Sequence, residues 1–197
     1  MNAQPSFYKE RLYPLVFMFI VTFLCILLTA GLYLLTQERA SANELSFTRR
    51  AVLQAGGVPF ENTTLGIEQA FNEKISVEEG YYTTQGPEGI RYIIPLQGPG
   101  LWGTIAIMVG MEEDLRTFSG LAIVSQNETP GLGARIEESW FTSQFSGKKA
   151  PFTMVEEGTA SLDNEVDAIT GATRTSEYFL NLTNRAADDA KLIIRGE

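Results

Sequence analysis

The stretch Gly89–Ser125, GIRYIIPLQGPGLWGTIAIMVGMEEDLRTFSGLAIVS, decides the fold. Three of its segments, Gly89–Leu96, Gly103–Met111 and Thr117–Ser125, are rich in Ile, Val, Tyr and Phe, and they are separated by a Gly-Pro-Gly turn and an acidic turn. β-Branched and aromatic side chains suit a pleated surface, while glycine, proline and acidic residues punctuate it, so the pattern predicts neighbouring antiparallel strands. Helical signals flank them. Asn43–Ala55 carries Leu45, Val52 and Leu53 and stops at Gly56-Gly57, and Thr64–Lys74 carries Leu65, Ile67, Ala70 and Phe71 near helical spacing. Beyond the strands, Arg135–Phe145 reads as a short amphipathic helix and Phe152–Glu156 as a further strand. Thr173–Ile194 reads as a long closing helix with Phe179, Leu180, Leu182, Ala186, Ala190 and Ile193 on its apolar stripe. Strands grouped between helices give an α+β class. There is no internal repeat and no low-complexity tract.

Further out, residues 12–37 contain no charged side chain and are dominated by Leu, Phe, Val, Ile and Met. A helix needs about 20 apolar residues to cross the hydrocarbon core of a bilayer, so this run predicts a transmembrane helix. Tyr13 and Tyr33 stand where an interfacial aromatic belt would place them, and Pro14 falls in the first turn, where it costs least. Ala40-Ser41-Ala42 has the small-x-small form of a signal-peptidase site, but the apolar run is longer than the 7 to 15 residues of a usual signal h-region. The expected organisation is therefore residues 1–11 as an N-terminal tail, 12–37 as a single span and 38–197 as one folded domain. Basic residues lie on both sides of the span (Lys9 and Arg11 before it, Arg39, Arg49 and Arg50 after it), so the positive-inside rule does not choose its direction. Cys25 lies mid-span as a small apolar residue, and Thr22 and Thr29 are polar positions for bonds to neighbouring helices or within their own helix.

The chain of 197 residues has no histidine, one cysteine and a formal charge of −9. Without histidine there is no Ser-His-Asp or Cys-His pair and no His-ligated zinc or haem, and a lone cysteine forms no internal disulfide. No catalytic residue and no metal site is expected. Residues 1–11 carry a net charge of +1, so the rest carries −10, which argues against nucleic acid, whose affinity comes mostly from phosphate-neutralising Lys and Arg. Redox or bond chemistry here must use a borrowed cofactor or carboxylates.

The most informative stretch for chemistry is Asp167–Ser176, DAITGATRTS. It reads as a strand end, then a glycine, then hydroxyls at the start of the last helix. The free N–H groups and positive dipole end of a helix start attract phosphate, Gly171 and Ala172 leave room for it, and Arg174 adds a positive charge. On residue types alone, an N-cap threonine after turn residues explains the same pattern with no ligand. Glu128–Gly133, ETPGLG, is a second unusual loop, which taken by itself is also an ordinary Pro-Gly turn.

The two stretches together resemble a known family. Asp167-x-x-Thr170-Gly171-Ala172-Thr173, followed by Thr175 and Ser176, is similar to the flavinylation motif of the covalent FMN-binding subunits of two related membrane complexes. These are the G subunit of the Rnf ferredoxin:NAD oxidoreductase and the C subunit of the sodium-translocating NADH:quinone oxidoreductase. Glu128-Thr129-Pro130-Gly131-Leu132-Gly133 resembles that family's second loop. Gly100-Leu101-Trp102-Gly103 resembles the quinone-reductase branch, whereas the chain length is nearer that of the Rnf subunits.

The resemblance implies FMN joined through its phosphate to the hydroxyl of Thr173 by a magnesium-dependent flavin transferase. It implies recognition through Asp167, Thr170, Gly171 and Ala172, and an isoalloxazine ring against Glu128, Thr129 and Leu132 with Trp102 beside it. It also implies an electron-transfer subunit among other membrane and redox subunits of an ion-translocating oxidoreductase. The N-terminus would be cytoplasmic and the flavin domain extracytoplasmic, in a bacterial or archaeal cell membrane. Two other readings fit the same residues: a free-standing membrane-anchored flavoprotein for extracellular electron transfer, and a cofactor-free anchored binding module.

Overall fold

The computed structural model describes residues 12–196; the N-terminal tail expected to be cytoplasmic lies outside the described residues. The chain divides after Leu45 into two compact units. All described residues of the first are exposed, and the helix they belong to, α1 (Tyr13–Ala55), is long and apolar enough to cross a membrane. The Thr29 hydroxyl donates to the carbonyl of Cys25 at 2.9 Å and that of Thr36 to Leu32 at 2.8 Å. Both polar side chains are thus satisfied within their own helix, as a lipid environment requires. The segment Gln37–Asn43 holds neither Gly nor Pro, so nothing separates the expected span from the expected Asn43–Ala55 helix, and the two form one element of 43 residues.

The second unit is built on a five-stranded antiparallel meander. It follows α2 (Thr64–Lys74) and runs β1 (Ser76–Val77), β2 (Tyr82–Gly86), β3 (Gly89–Pro99), β4 (Thr104–Met111) and β5 (Phe118–Ser125) in spatial order. The three expected strands are β3 to β5. Ile107 faces Leu96 across β3 and β4, and Val109 faces Ile94. Because side chains alternate along a strand, Ile93, Met108 and Ala122 point to one face of the sheet, while Ile94, Ile107 and Val109 point to the other. The first face is covered by Ala51–Ala55 of α1 and by Ile67 and Ala70 of α2. The second carries the larger core, where Phe118, Phe141, Phe145, Phe152 and Phe179 meet with ring centroids 4.9 to 6.3 Å apart.

The expected Arg135–Phe145 helix is instead a 3-10 turn (Gly133–Glu137) followed by the single turn α3 (Ser139–Ser143). Ile136 and Phe141 are both fully buried but five residues apart, well beyond one helical turn. Both reach the core because Glu138 breaks the helix with extended backbone (φ −65°, ψ 139°). Next come β6 (Thr153–Val155) and β7 (Glu165–Asp167), a parallel pair, and then α4 (Thr173–Arg195). Phe179, Leu182, Ala186 and Ala190 of α4 are buried; the stripe continues to Ile194, and Ile193 stays on its exposed margin.

Candidate functional site

Three loops meet at the N-terminal end of α4, and one carboxylate joins them. Glu128 is 5% exposed. Its Oε2 accepts from the hydroxyl of Thr175, on the first turn of α4, at 2.5 Å, and its Oε1 accepts from the backbone N–H of Trp102, in the β3–β4 turn, at 3.1 Å. The Glu128 backbone N–H donates to the side chain of Gln126. There is no room for a side chain around this acid. A Cβ at Gly100 would lie 2.5 Å from Oε1, and one at Gly133 would lie 2.9 Å from Oε2 and 2.6 Å from Thr175 Oγ1. The Leu132 and Gly171 loops also touch, since a Cβ at Gly171 would stand 3.1 Å from Leu132 Cδ2. Gly171 has φ +78°, the left-handed region that lets the chain turn from β7 into α4.

A second carboxylate holds the same loop from outside. Glu157 pairs with Arg135 at 2.9 Å and accepts from the backbone N–H of Thr170 at 2.8 Å. The hydrogen bond to Arg135, then those to the Thr170 N–H and hydroxyl, hold its carboxyl down to about 2. The Arg135 guanidinium lies 5.2 Å over the Trp140 ring. Asp167 is half-buried; its Oδ1 accepts from the backbone N–H groups of Thr159 and Ala160 at 3.0 and 2.8 Å. Gln144 brackets the Asp167 backbone, accepting from its N–H at 2.5 Å.

The start of α4 separates its hydroxyls. Its N-cap is Ala172, so no side chain caps the helix, and Thr173 is the first helical residue instead of the cap that its type suggests. Thr175 and Ser176 are each 1% exposed and committed: Thr175 to Glu128, and Ser176 through its Oγ, which accepts from the Ile169 N–H at 3.1 Å. Thr173 is exposed, and its hydroxyl makes no hydrogen bond among the described residues. Arg174 turns back along the helix to Glu177 at 3.4 Å and over the Tyr178 ring, so its charge is shared with an acid. What remains at the helix start is unpaired amides, the positive end of the dipole and one free hydroxyl, an arrangement that suits a phosphate ester.

The surroundings are open and apolar. Trp102 is 68% exposed, which removes it from the core, and Leu101 and Leu132 are also exposed. Thr129, Pro130 and Gly131 lie at the surface of the same loop. A cleft of about 850 Å³ opens elsewhere, between α2 and β2–β3 beside Lys74 and Arg91. A flat ring at α4 would therefore rest on a surface. Sequence reasoning brought Thr173, Asp167, Thr170, Gly171, Ala172, Glu128, Thr129, Leu132 and Trp102 to this region. It missed Arg135, Gln144 and Glu157, whose bonds to one another and to the site loop span 13 to 23 residues and carry no local signature.

Residues 100–188, which hold all three loops, match the model of the FMN-binding domain family. The G subunit of the proton-translocating ferredoxin:NAD(+) oxidoreductase complex of Clostridium ljungdahlii is 30% identical over 144 residues, 71% of this chain and 77% of that protein. The chain belongs to the FMN-binding domain family. Another relative is the C subunit of the Na(+)-translocating NADH-quinone reductase of Vibrio anguillarum, 38% identical over 104 residues. The match takes in 49% of this chain but only 41% of that protein, so the chain spans well under half the length of that relative. Among solved structures, the C subunit of the same reductase from Parabacteroides distasonis superposes with a TM-score of 0.67 at 25% identity, covering 80% of this chain and 96% of that one. NqrC of Shewanella oneidensis shares the fold at a TM-score of 0.62 and 20% identity, over 73% and 90% of the two chains. The FMN-binding domain fold thus accounts for the meander, the two motif loops and α4 together.

Proposed function

We propose that this chain carries FMN as a phosphoester on Thr173 and relays electrons as a subunit of a membrane ion-translocating oxidoreductase of the Rnf or NADH:quinone type. The observation that carries the attachment is the sorting of hydroxyls at α4: Thr175 and Ser176 are buried and bonded, while Thr173 is exposed and unbonded on an uncapped helix start. A flavin transferase needs such a hydroxyl, and the helix N-terminus stabilises the negative phosphate once it is there. Asp167, Thr170, Gly171 and Ala172 form the segment the transferase reads, and Thr129, Leu132 and Trp102 offer the surface for the ring. Bound FMN supplies the redox chemistry; the protein supplies attachment, orientation and electrostatics. A covalent tether keeps the cofactor in place on a surface too open to hold it tightly, which leaves an edge free for an electron partner. Residues 12–37 anchor the chain, residues 38–197 form the flavin domain, and the N-terminus is cytoplasmic with the flavin domain outside.

Intact-mass measurement of the full chain, produced with its flavin transferase, tests this. The expected result is the mass of the chain plus FMN less one water, lost completely in Thr173→Ala. Since Thr173 caps nothing, that variant should melt within about 0.5 kcal/mol of the parent, as for an exposed surface change. Full flavin mass in Thr173→Ala, or none in the parent, refutes the assignment.

A further inference from the structure

We infer that Glu128 is a positioning residue that sets the first turn of α4 against the Trp102 loop, and so fixes where the flavin sits relative to the Trp102 side chain. The inference rests on the attachment of FMN at Thr173. A carboxylate that is 5% exposed carries a desolvation cost, and Glu128 has no ion pair among the described residues to offset it. What it has is two donors from two other elements. One is the Thr175 hydroxyl at 2.5 Å, the length of a charge-assisted O–H···O bond, and the other is the Trp102 amide at 3.1 Å. The carboxylate is rigid, so its two oxygens hold a helix residue two positions from Thr173 and the Trp102 backbone at a set separation.

The neighbours are built around that link. Gly100 and Gly133 both lack the Cβ that would strike it, and Thr175 is 1% exposed and cannot swing away. The Trp102 side chain, in contrast, is 68% exposed and has little packing to hold it. Its position relative to α4 comes from its backbone, and its backbone is held by Glu128. An apolar residue could close the same three loops without burying a charge. The acid adds register between the residue that bears the flavin and the aromatic ring beside it.

The test uses the full chain, matured with its transferase, in a Trp140→Phe background, which leaves Trp102 as the sole tryptophan. Flavin loading is read by intact mass, folding by thermal melting, and flavin position by quenching of Trp102 fluorescence together with the visible circular dichroism of the flavin. Thr175→Val removes the hydroxyl at constant volume; quenching and dichroism should be largely lost while the flavin mass remains. Thr175→Ser, which keeps the hydroxyl, should restore both signals. Glu128→Gln should also keep them, because the amide oxygen can accept from Trp102 while the amide N–H donates to the Thr175 oxygen, which has acceptor capacity.

If Thr175→Val does not fold, the pair Glu128→Leu with Thr175→Val decides. Removing both partners leaves neither the acid nor the hydroxyl orphaned, so the fold should survive and the two signals should still be lost. Unchanged quenching and dichroism in a folded, loaded Thr175→Val or double variant overturns the inference, as does a loss in Thr175→Ser equal to that in Thr175→Val. Absence of flavin mass from the parent is a different failure, that of the attachment itself.

Discussion

Glu128 and Glu157 both hold the loop-and-helix start that carries Thr173, one from inside the fold and one from its surface. Glu128 is buried among neutral donors on a loop and a helix turn, with glycines packed against it. Glu157 has a side chain 29% exposed, opposite an arginine 25% exposed, and reaches only the backbone and hydroxyl of Thr170. The contrast is one of medium. A buried, fully occupied hydrogen-bond pair in low dielectric is rigid, and it is costly to leave half-made. An exposed ion pair is screened by salt, loses side-chain entropy and contributes little. The inner acid should therefore determine geometry, and the outer one should trim it.

The largest effect is expected from crowding the inner acid. In Gly133→Ala the added methyl would lie 2.6 Å from Thr175 Oγ1 and 2.9 Å from both Glu128 Cβ and Oε2. None of these is the free end of a flexible chain, so the loop or α4 must shift. The expected cost is about 3 kcal/mol, the upper part of the usual range for overpacking, read as a lowered melting temperature of the full chain. A cost indistinguishable from zero would mean that the three loops are loosely joined, and the contrast between the two acids would fall.

A smaller effect is expected at Gly171, which lies in sequence between Thr170, held by Glu157, and Thr175, held by Glu128. Its φ of +78° is unfavourable for any residue with a Cβ, but the atom that Cβ would meet, Leu132 Cδ2 at 3.1 Å, belongs to an exposed side chain that can move. Gly171→Ala should thus cost about 1–2 kcal/mol, from backbone strain alone. If Leu132→Ala in the same background recovers most of that loss, contact outweighs strain, and the two motif loops are more tightly packed than the exposed Leu132 implies.

These positions also show what could be read before the fold was known. β3, β4 and β5, α2 and the long α4 follow from local composition, because alternation and helical spacing are properties of neighbouring residues. The two motif loops are legible for a similar reason: Pro130, Gly131 and Gly171 mark turns in any sequence. The short β1 and β2 are less so, although Tyr82, Thr83 and Thr84 have strand character, because two and five residues between turns give little periodicity. The pairing of Glu128 with Thr175 was not legible at all. It spans 47 residues and joins an acid to a hydroxyl, with nothing in either neighbourhood to announce the other. The residue types at the helix start pointed to a threonine cap, and only the backbone showed that Ala172 occupies the cap and leaves Thr173 free.

The smallest effect, and the one that separates the two acids by condition, is expected at Glu157. Its carboxyl is held down to about 2 from an ordinary 4.5, first by the hydrogen bond to Arg135 and then by the Thr170 N–H and hydroxyl. A group whose folded pKa lies below its unfolded value stabilises above the unfolded value and loses that stabilisation as pH falls through the folded one. The contribution of Glu157 should be complete above about pH 5, decline between 4.5 and 2, and vanish below. In melting experiments, the parent should exceed Glu157→Gln by a small margin at neutral pH that closes over this window, and that added salt also narrows. The margin between the parent and Thr175→Val should resist salt, because Glu128 has no ion pair among the described residues and faces little solvent. A Glu157 margin that persists at pH 2, or a Thr175 margin that salt erases, would show that burial is not what distinguishes the two.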